Sequence, residues 1–276
     1  MNRDRRLFLS RAAALTTAAA LPFLSSASAF ARATPVAPAL PSLKGRKVLF
    51  TYGGWDGHEP KKFLDYMTPW LQEEGAEVQS FPTLEPYTDK ALMATIDLVI
   101  QVFTMSQITK EQEAGLLEAV KVNGTGMAGW HGGMGDSFRN NVEYQYMVGG
   151  QWVAHPGNVI DYDVHIIDQK DDVTKGLKDF HMKSEQYYMH IDPNVKVLAT
   201  TKFNGAVNSW IDGAVLPVAW KKSYGKGRIF YTSVGHNLAH VTEVPDAIEL
   251  IKRGVKWASA SKYEPAEKWM NPMYKF

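Results

Sequence analysis

The sequence predicts an α/β protein built on a doubly wound, mostly parallel sheet, with an antiparallel extension in its second half. Three observations carry this. Short apolar runs alternate with amphipathic helical segments from Lys47 to Trp130. The run Asp97-Leu-Val-Ile-Gln-Val-Phe103 is almost unbroken, as in strands covered on both faces. The stretch Gly124-Thr-Gly-Met-Ala-Gly-Trp-His-Gly-Gly-Met-Gly-Asp136 then reads as a buried strand ending in a tight turn that presents His131.

The chain opens with a twin-arginine pattern, Asp4-Arg-Arg-Leu-Phe-Leu-Ser10, and a weakly apolar run from Ala12 to Leu24. Small residues around Ala27-Ser-Ala29 and Ala29-Phe-Ala31 offer cleavage sites. Residues 1–31 are thus expected to be an export signal rather than a lasting membrane anchor, and the mature protein to be periplasmic or secreted. Without them the chain carries 26 basic and 28 acidic residues, a balance that argues against a nucleic-acid partner. There is no cysteine, which excludes disulfides, thiolate ligands and a cysteine nucleophile.

Residues 32–44 are spaced by prolines and read as a linker, so the α/β domain is placed at 45–260 with a tail over 261–276. Lys47–Tyr52 is the first strand, ending at Gly53-Gly54. Pro60 opens a helix to about Glu74, with Phe63, Met67, Trp70 and Leu71 at helical spacing. Strands follow at Glu77–Phe81 and Asp97–Phe103. Thr109 and Gln112 form a capping box for a helix ending near Val122. Beyond Trp130 the pattern loosens. Val159–Ile167 and Val195–Thr200 alternate and are expected to pair antiparallel, while Leu216–Trp220 and Arg228–Thr232 flank a hairpin turn at 222–227. A last helix runs from Pro245 to about Ala260, and the aromatic tail is expected to pack on the surface.

Four of eight histidines sit in glycine-rich loops: His58, His131, His155 and His236. If their strands run parallel, His58, His131 and His236 share the carboxyl edge of the sheet, where open α/β sheets bind ligands. Imidazole is a metal ligand and titrates near neutrality, so the group reads as a metal or acid–base site. His155 lies in Gly149-Gly-Gln-Trp-Val-Ala-His-Pro156, a loop with no evident duty as a connection. His165 in a strand, and His181 and His240 in polar loops, are read as structural. Ser184-Glu-Gln-Tyr-Tyr-Met-His190 offers Glu185 as a carboxylate, with Tyr187 and Tyr188 as aromatic faces of the kind that stack on sugar rings. No dinucleotide fingerprint, P-loop or nucleophile elbow is present, so no nucleotide cofactor is expected.

Gly54-x-x-x-His58, Gly129-Trp-His-Gly-Gly133, Gly149-Gly-x-x-x-x-His-Pro156, Ser184-Glu185 and Pro217-Val-Ala-Trp-x-x-x-Tyr-Gly-Lys-Gly-Arg-Ile-Phe-Tyr-Thr-x-x-Gly-His236, in this order, resemble the ThuA-like, or trehalose-utilisation, family. The resemblance runs from about Arg46 to Ala260. It implies a flavodoxin-like sheet similar to the class I glutamine amidotransferase domain, with His131 where amidotransferases carry their cysteine. Glutaminase chemistry is therefore excluded. It also implies a small-molecule carbohydrate, a sugar or keto-sugar glycoside, as partner. On that reading His131 and Glu185 are the acid–base candidates for isomerisation or bond cleavage, and Trp55, Trp130, Tyr187 and Tyr188 are candidate sugar contacts. His58, His131, His155 and His236 are candidate ligands of a divalent metal, zinc before nickel or iron. The competing readings are a metal-free cleft whose histidines bond sugar hydroxyls, a non-catalytic carbohydrate-binding or accessory module, and a metal-dependent hydrolase of another small molecule.

Overall fold

The computed structural model describes residues 40–270. The export signal expected over 1–31, most of the linker and the last six residues lie outside the described residues.

Strand β1 (Lys47–Gly54) leads through a short 3-10 turn into helix α1 (Pro60–Glu73), which buries Phe63, Leu64, Met67 and Leu71 on the sheet. Strand β2 (Glu77–Phe81) is an edge strand, which accounts for its polar residues. Helix α2 (Lys90–Thr95), capped by Asp89, is an element the sequence pattern did not single out. Strand β3 (Leu98–Thr104) is buried at every position, as its unbroken apolar run requires. Helix α3 (Lys110–Lys121) carries the expected capping box: the Gln112 N–H donates to Thr109 Oγ1 at 3.2 Å and the Thr109 N–H to Gln112 Oε1 at 3.0 Å. Strand β4 (Gly126–Trp130) runs into the short helix α4 (His131–Gly135), with α5 (Val142–Val148) behind it.

The second half contains β5 (Gly150–Ala154), β6 (Val159–Ile166), β7 (Phe180–Glu185), β8 (Tyr188–Ile191), β9 (Lys196–Lys202), β10 (Val215–Tyr224) and β11 (Gly227–Thr232), then α6 (Leu238–Thr242) and α7 (Pro245–Ala258). One nine-stranded sheet has the order β2-β1-β3-β4-β11-β10-β9-β6-β7. Strands β2, β1, β3, β4 and β11 are parallel, and β10, β9, β6 and β7 continue antiparallel. Strands β5 and β8 form a separate two-stranded ribbon.

This arrangement puts the carboxyl ends of β1, β3, β4, β11 and β7 on the same edge. In a flat sheet β7 would stand about 19 Å from β11, four strand spacings away. Instead Ser184 Oγ on β7 donates to the Gly235 carbonyl at 2.5 Å, so the twisted sheet curls until its last strand returns to the parallel half.

Several expectations are corrected. The stretch read as an idle loop before His155 is strand β5. His181 lies in β7 and His240 in α6, not in loops. Leu43 is fully buried, so the packed body begins before Gly45. The tail expected to pack on the surface does so as far as Trp269: the Arg228 guanidinium lies 4.7 Å from its ring and donates to Glu264 at 2.7 Å.

Candidate functional site

Three turns at the carboxyl edge, after β1, β4 and β11, each place one imidazole. His58 ends the 3-10 turn after β1, His131 follows β4 directly, and His236 follows β11 through Ser233-Val-Gly. The backbone pays little heed to its ordinary preferences there. The non-glycine residues with positive φ include Glu59, Met105, His131, Asn158 and His236, all at turns bordering the site. Such conformations are costly and cluster where a site must aim its side chains.

Glycine makes the close approach possible. A Cβ on Gly132 would lie 2.4 Å from His58 Cε1, and one on Gly235 would lie 2.4 Å from His131 Cβ. Both glycines are therefore required by contact rather than by turn type.

Glu185 supplies the centre. Its Oε2 lies 3.1 Å from His131 Nε2, 3.3 Å from His236 Nδ1 and 3.8 Å from His58 Nε2. The four ligand atoms fall within 4.8 Å of one another. Four ligands held tetrahedrally at zinc bond lengths stand about 3.4 Å apart, so these separations bracket the required ones.

Proton placement points the same way. His131 Nδ1 lies 2.8 Å from the Ser233 carbonyl oxygen, which can only accept, so Nδ1 carries the hydrogen. Burial pushes the His131 pKa down to about 3, against the pull of Glu185, and the ring is neutral. Burial alone would raise the Glu185 carboxyl, but the surrounding ring nitrogens outweigh it and hold the group well below the usual carboxylate range. His131 Nε2 lies 3.1 Å from the carboxylate oxygen, and the buried His236 Nδ1 lies 3.3 Å from the same oxygen. Imidazole nitrogens and a carboxylate oxygen converging on one point are the donor set of a cation site. His58, His131, Glu185 and His236 could hold a metal ion.

Supporting groups orient these ligands. His58 Nδ1 is 2.9 Å from Thr104 Oγ1, and Tyr231 Oη donates to the His131 carbonyl at 3.0 Å. Tyr187 stacks on the His131 ring at 3.9 Å and covers one face.

The remaining candidates separate. His155 stands outside the ligand group: its Nε2 is 3.9 Å from the other carboxylate oxygen, Glu185 Oε1. Trp55, 44% exposed, meets His58 edge-on at the rim. Trp130 is 1% exposed and packs against Phe50 and Phe63 in the core, leaving no face for a ligand. Tyr188 packs on Phe203 rather than on the histidines. Thr104, Ser233 and Tyr231 were missed from the sequence. Thr104 had a signal, since it ends β3 as His131 follows β4. Ser233 had none, because it acts through its backbone.

The profile of the ThuA family, described as trehalose utilisation, matches residues 47–258. The chain belongs to that family. Among solved structures, a protein described as ThuA-like from Bacteroides uniformis aligns at 17% identity over 81% of this chain and 94% of its own, with a TM-score of 0.65. One from Parabacteroides merdae aligns at 20% identity over 80% and 93%, with a TM-score of 0.62. A cytoplasmic protein from Salmonella typhimurium aligns at 13% identity over 78% and 98%, with a TM-score of 0.53. These likenesses carry the ThuA fold. No curated protein matches the sequence.

Proposed function

We propose that this ThuA-family protein is a metal-assisted acid–base catalyst acting on a sugar or keto-sugar glycoside. The observation that carries the reading is the convergence of three imidazole nitrogens on Glu185 Oε2, with all four ligand atoms within 4.8 Å of one another. The set of nitrogens and one oxygen, with no thiolate, suits zinc. The metal would supply Lewis acidity at the substrate carbonyl.

In this reading His131 is a ligand, not the base, and its acid–base role passes to His155. His155 has 31% of its side chain exposed and faces Glu185 Oε1. It takes the proton from the carbon beside the carbonyl, and the electron pair moves onto the carbonyl oxygen. In an α-hydroxy ketone the neighbouring hydroxyl passes its own proton to that oxygen, and returning the abstracted proton to the former carbonyl carbon completes an isomerisation. Expelling the β oxygen, which takes that proton and leaves as the alcohol, completes an elimination.

The test is elemental analysis of untagged protein together with turnover of a 3-keto-glycoside, for wild type and His131→Ala. One equivalent of metal lost with the mutation, and turnover that follows it, supports the proposal. Sugar binding without turnover under every metal condition would support an accessory module instead.

We further propose that the chain works in the periplasm or outside the cell. A reporter fused to residues 1–35 should leave by the twin-arginine route and be retained when Arg5 and Arg6 become lysine. Departure through the general secretory route would contradict this.

A further inference from the structure

Among the described residues, eight buried side-chain polar atoms have no hydrogen-bond partner, and half of them belong to residues of this one site: Trp152 Nε1, His155 Nδ1, Tyr187 Oη and His236 Nδ1. The last is accounted for as a metal ligand atom. The other three form a group. Their ring centroids lie 5.6 Å apart for Trp152 and His155, 6.1 Å for His155 and Tyr187, and 6.3 Å for Trp152 and Tyr187.

One structural unit carries them. Trp152 is on β5, His155 on the turn after it, and Tyr187 just ahead of β8, the strand that pairs with β5. The ribbon stands against the metal cluster, since Tyr187 stacks on His131 and His155 faces Glu185. The Arg139 guanidinium lies 4.3 Å from the Trp152 ring and is itself fixed by Asp136, so the indole plane is held before any ligand arrives.

An unpaired buried polar group is costly, and native proteins hold few of them. Two of these, the Trp152 indole and the Tyr187 phenol, are donors on neighbouring rings at the wall of a candidate active site and call for a partner there. The indole N–H only donates, and a phenol hydroxyl donates readily, so that partner is an acceptor.

We propose that Trp152 Nε1 and Tyr187 Oη form an oxygen-recognition subsite that binds an electron-rich ligand oxygen, the carbonyl or carboxylate oxygen of an oxidised sugar, beside His155 and the candidate metal ligands. This deepens the proposed function and rests on its substrate class. The subsite selects an oxidised over an unoxidised sugar. A carbonyl or carboxylate accepts from both donors at once, whereas a hydroxyl must also place its own hydrogen.

The experiment is calorimetric titration with methyl α-glucoside, methyl 3-keto-α-glucoside and gluconate, each with and without one equivalent of zinc. Wild type is compared with Tyr187→Phe, which keeps the ring and removes the donor, and with Trp152→Phe, which keeps an aromatic face and removes the indole N–H. The wild type should prefer the keto sugar or gluconate, the better of the two naming the oxygen bound. Each variant should lose about tenfold on that probe and little on the parent glycoside, with zinc affinity held. Variants that bind every probe as the wild type does, or a wild type that treats all three alike, overturn the subsite. The two readings fail separately. Zinc bound with indifferent variants removes only the subsite. Absence of zinc binding, with the variants still losing affinity for the oxidised probe, keeps the subsite and removes the metal.

Discussion

Gly235→Ala is the sharpest probe of the cluster, because it adds one methyl group and no charge. The new Cβ would lie 2.4 Å from His131 Cβ and 2.8 Å from its Cγ. Carbon atoms settle about 3.5–4.0 Å apart, so backbone or imidazole must move by about 1.1–1.6 Å. His131 has little room to give. Its Nδ1 bonds the Ser233 carbonyl, Tyr187 covers its ring, and its own backbone is already at φ +47°. Metal ligands tolerate displacements of about 0.2 Å, so the shift far exceeds what a bound ion accommodates. Zinc affinity, measured against a competing chelator, should fall by at least about a hundredfold, in the range that damaged ligand orientation produces. Overpacking should lower stability by about 1–3 kcal/mol. Gly213→Ala is the control. Its φ is +74°, and its Cβ would meet nothing within 4 Å, so it should lose stability without losing zinc. A Gly235→Ala protein that binds zinc within threefold of wild type would refute the contact argument.

Three further outcomes follow from the same geometry. Thr104→Val keeps the shape but removes the partner of His58 Nδ1, and should weaken zinc binding about 10–100-fold with little change in melting temperature; an unchanged affinity would show that the hydroxyl does not orient the ring. Tyr231→Phe strips the donor from the buried His131 carbonyl and should cost about 1–3 kcal/mol in urea unfolding, and a neutral result would mean that the carbonyl finds another donor. In metal-free protein the unfolded chain protonates His131 below its ordinary 6.5 while the folded chain does so only near 3, so stability should fall as pH drops between these values, by about 1.4 kcal/mol per unit at most. Glu185, held low in the fold, adds loss of the same sign below its ordinary 4.5. His131→Asn should flatten this profile relative to wild type, and parallel curves would contradict the assignment.

Much of this protein was legible one residue window at a time. The Thr109–Gln112 box, Pro60 at a helix start and the unbroken run of β3 depend on neighbours a few residues away, and each formed where its pattern placed it. The sharing of one edge by His58, His131 and His236 was also within reach, because parallel strands put their carboxyl ends together whatever the loops do. Glu185 was recognisable as a carboxylate but not as the centre. It lies 54 residues from His131, and only the accumulated twist of the antiparallel extension returns β7 to the parallel half. The β5–β8 ribbon was half hidden for a related reason, since β5 reads as loop until it pairs with β8. Trp130 failed in the opposite sense. It adjoins His131 in sequence, yet successive strand residues face opposite sides of a sheet, and its ring went to the core. Sequence therefore determined the elements and the edge at which they end, through interactions that are local. Tertiary structure decided which carboxylate meets the histidines and which faces stay open, because both depend on how twist and packing add up across the whole sheet.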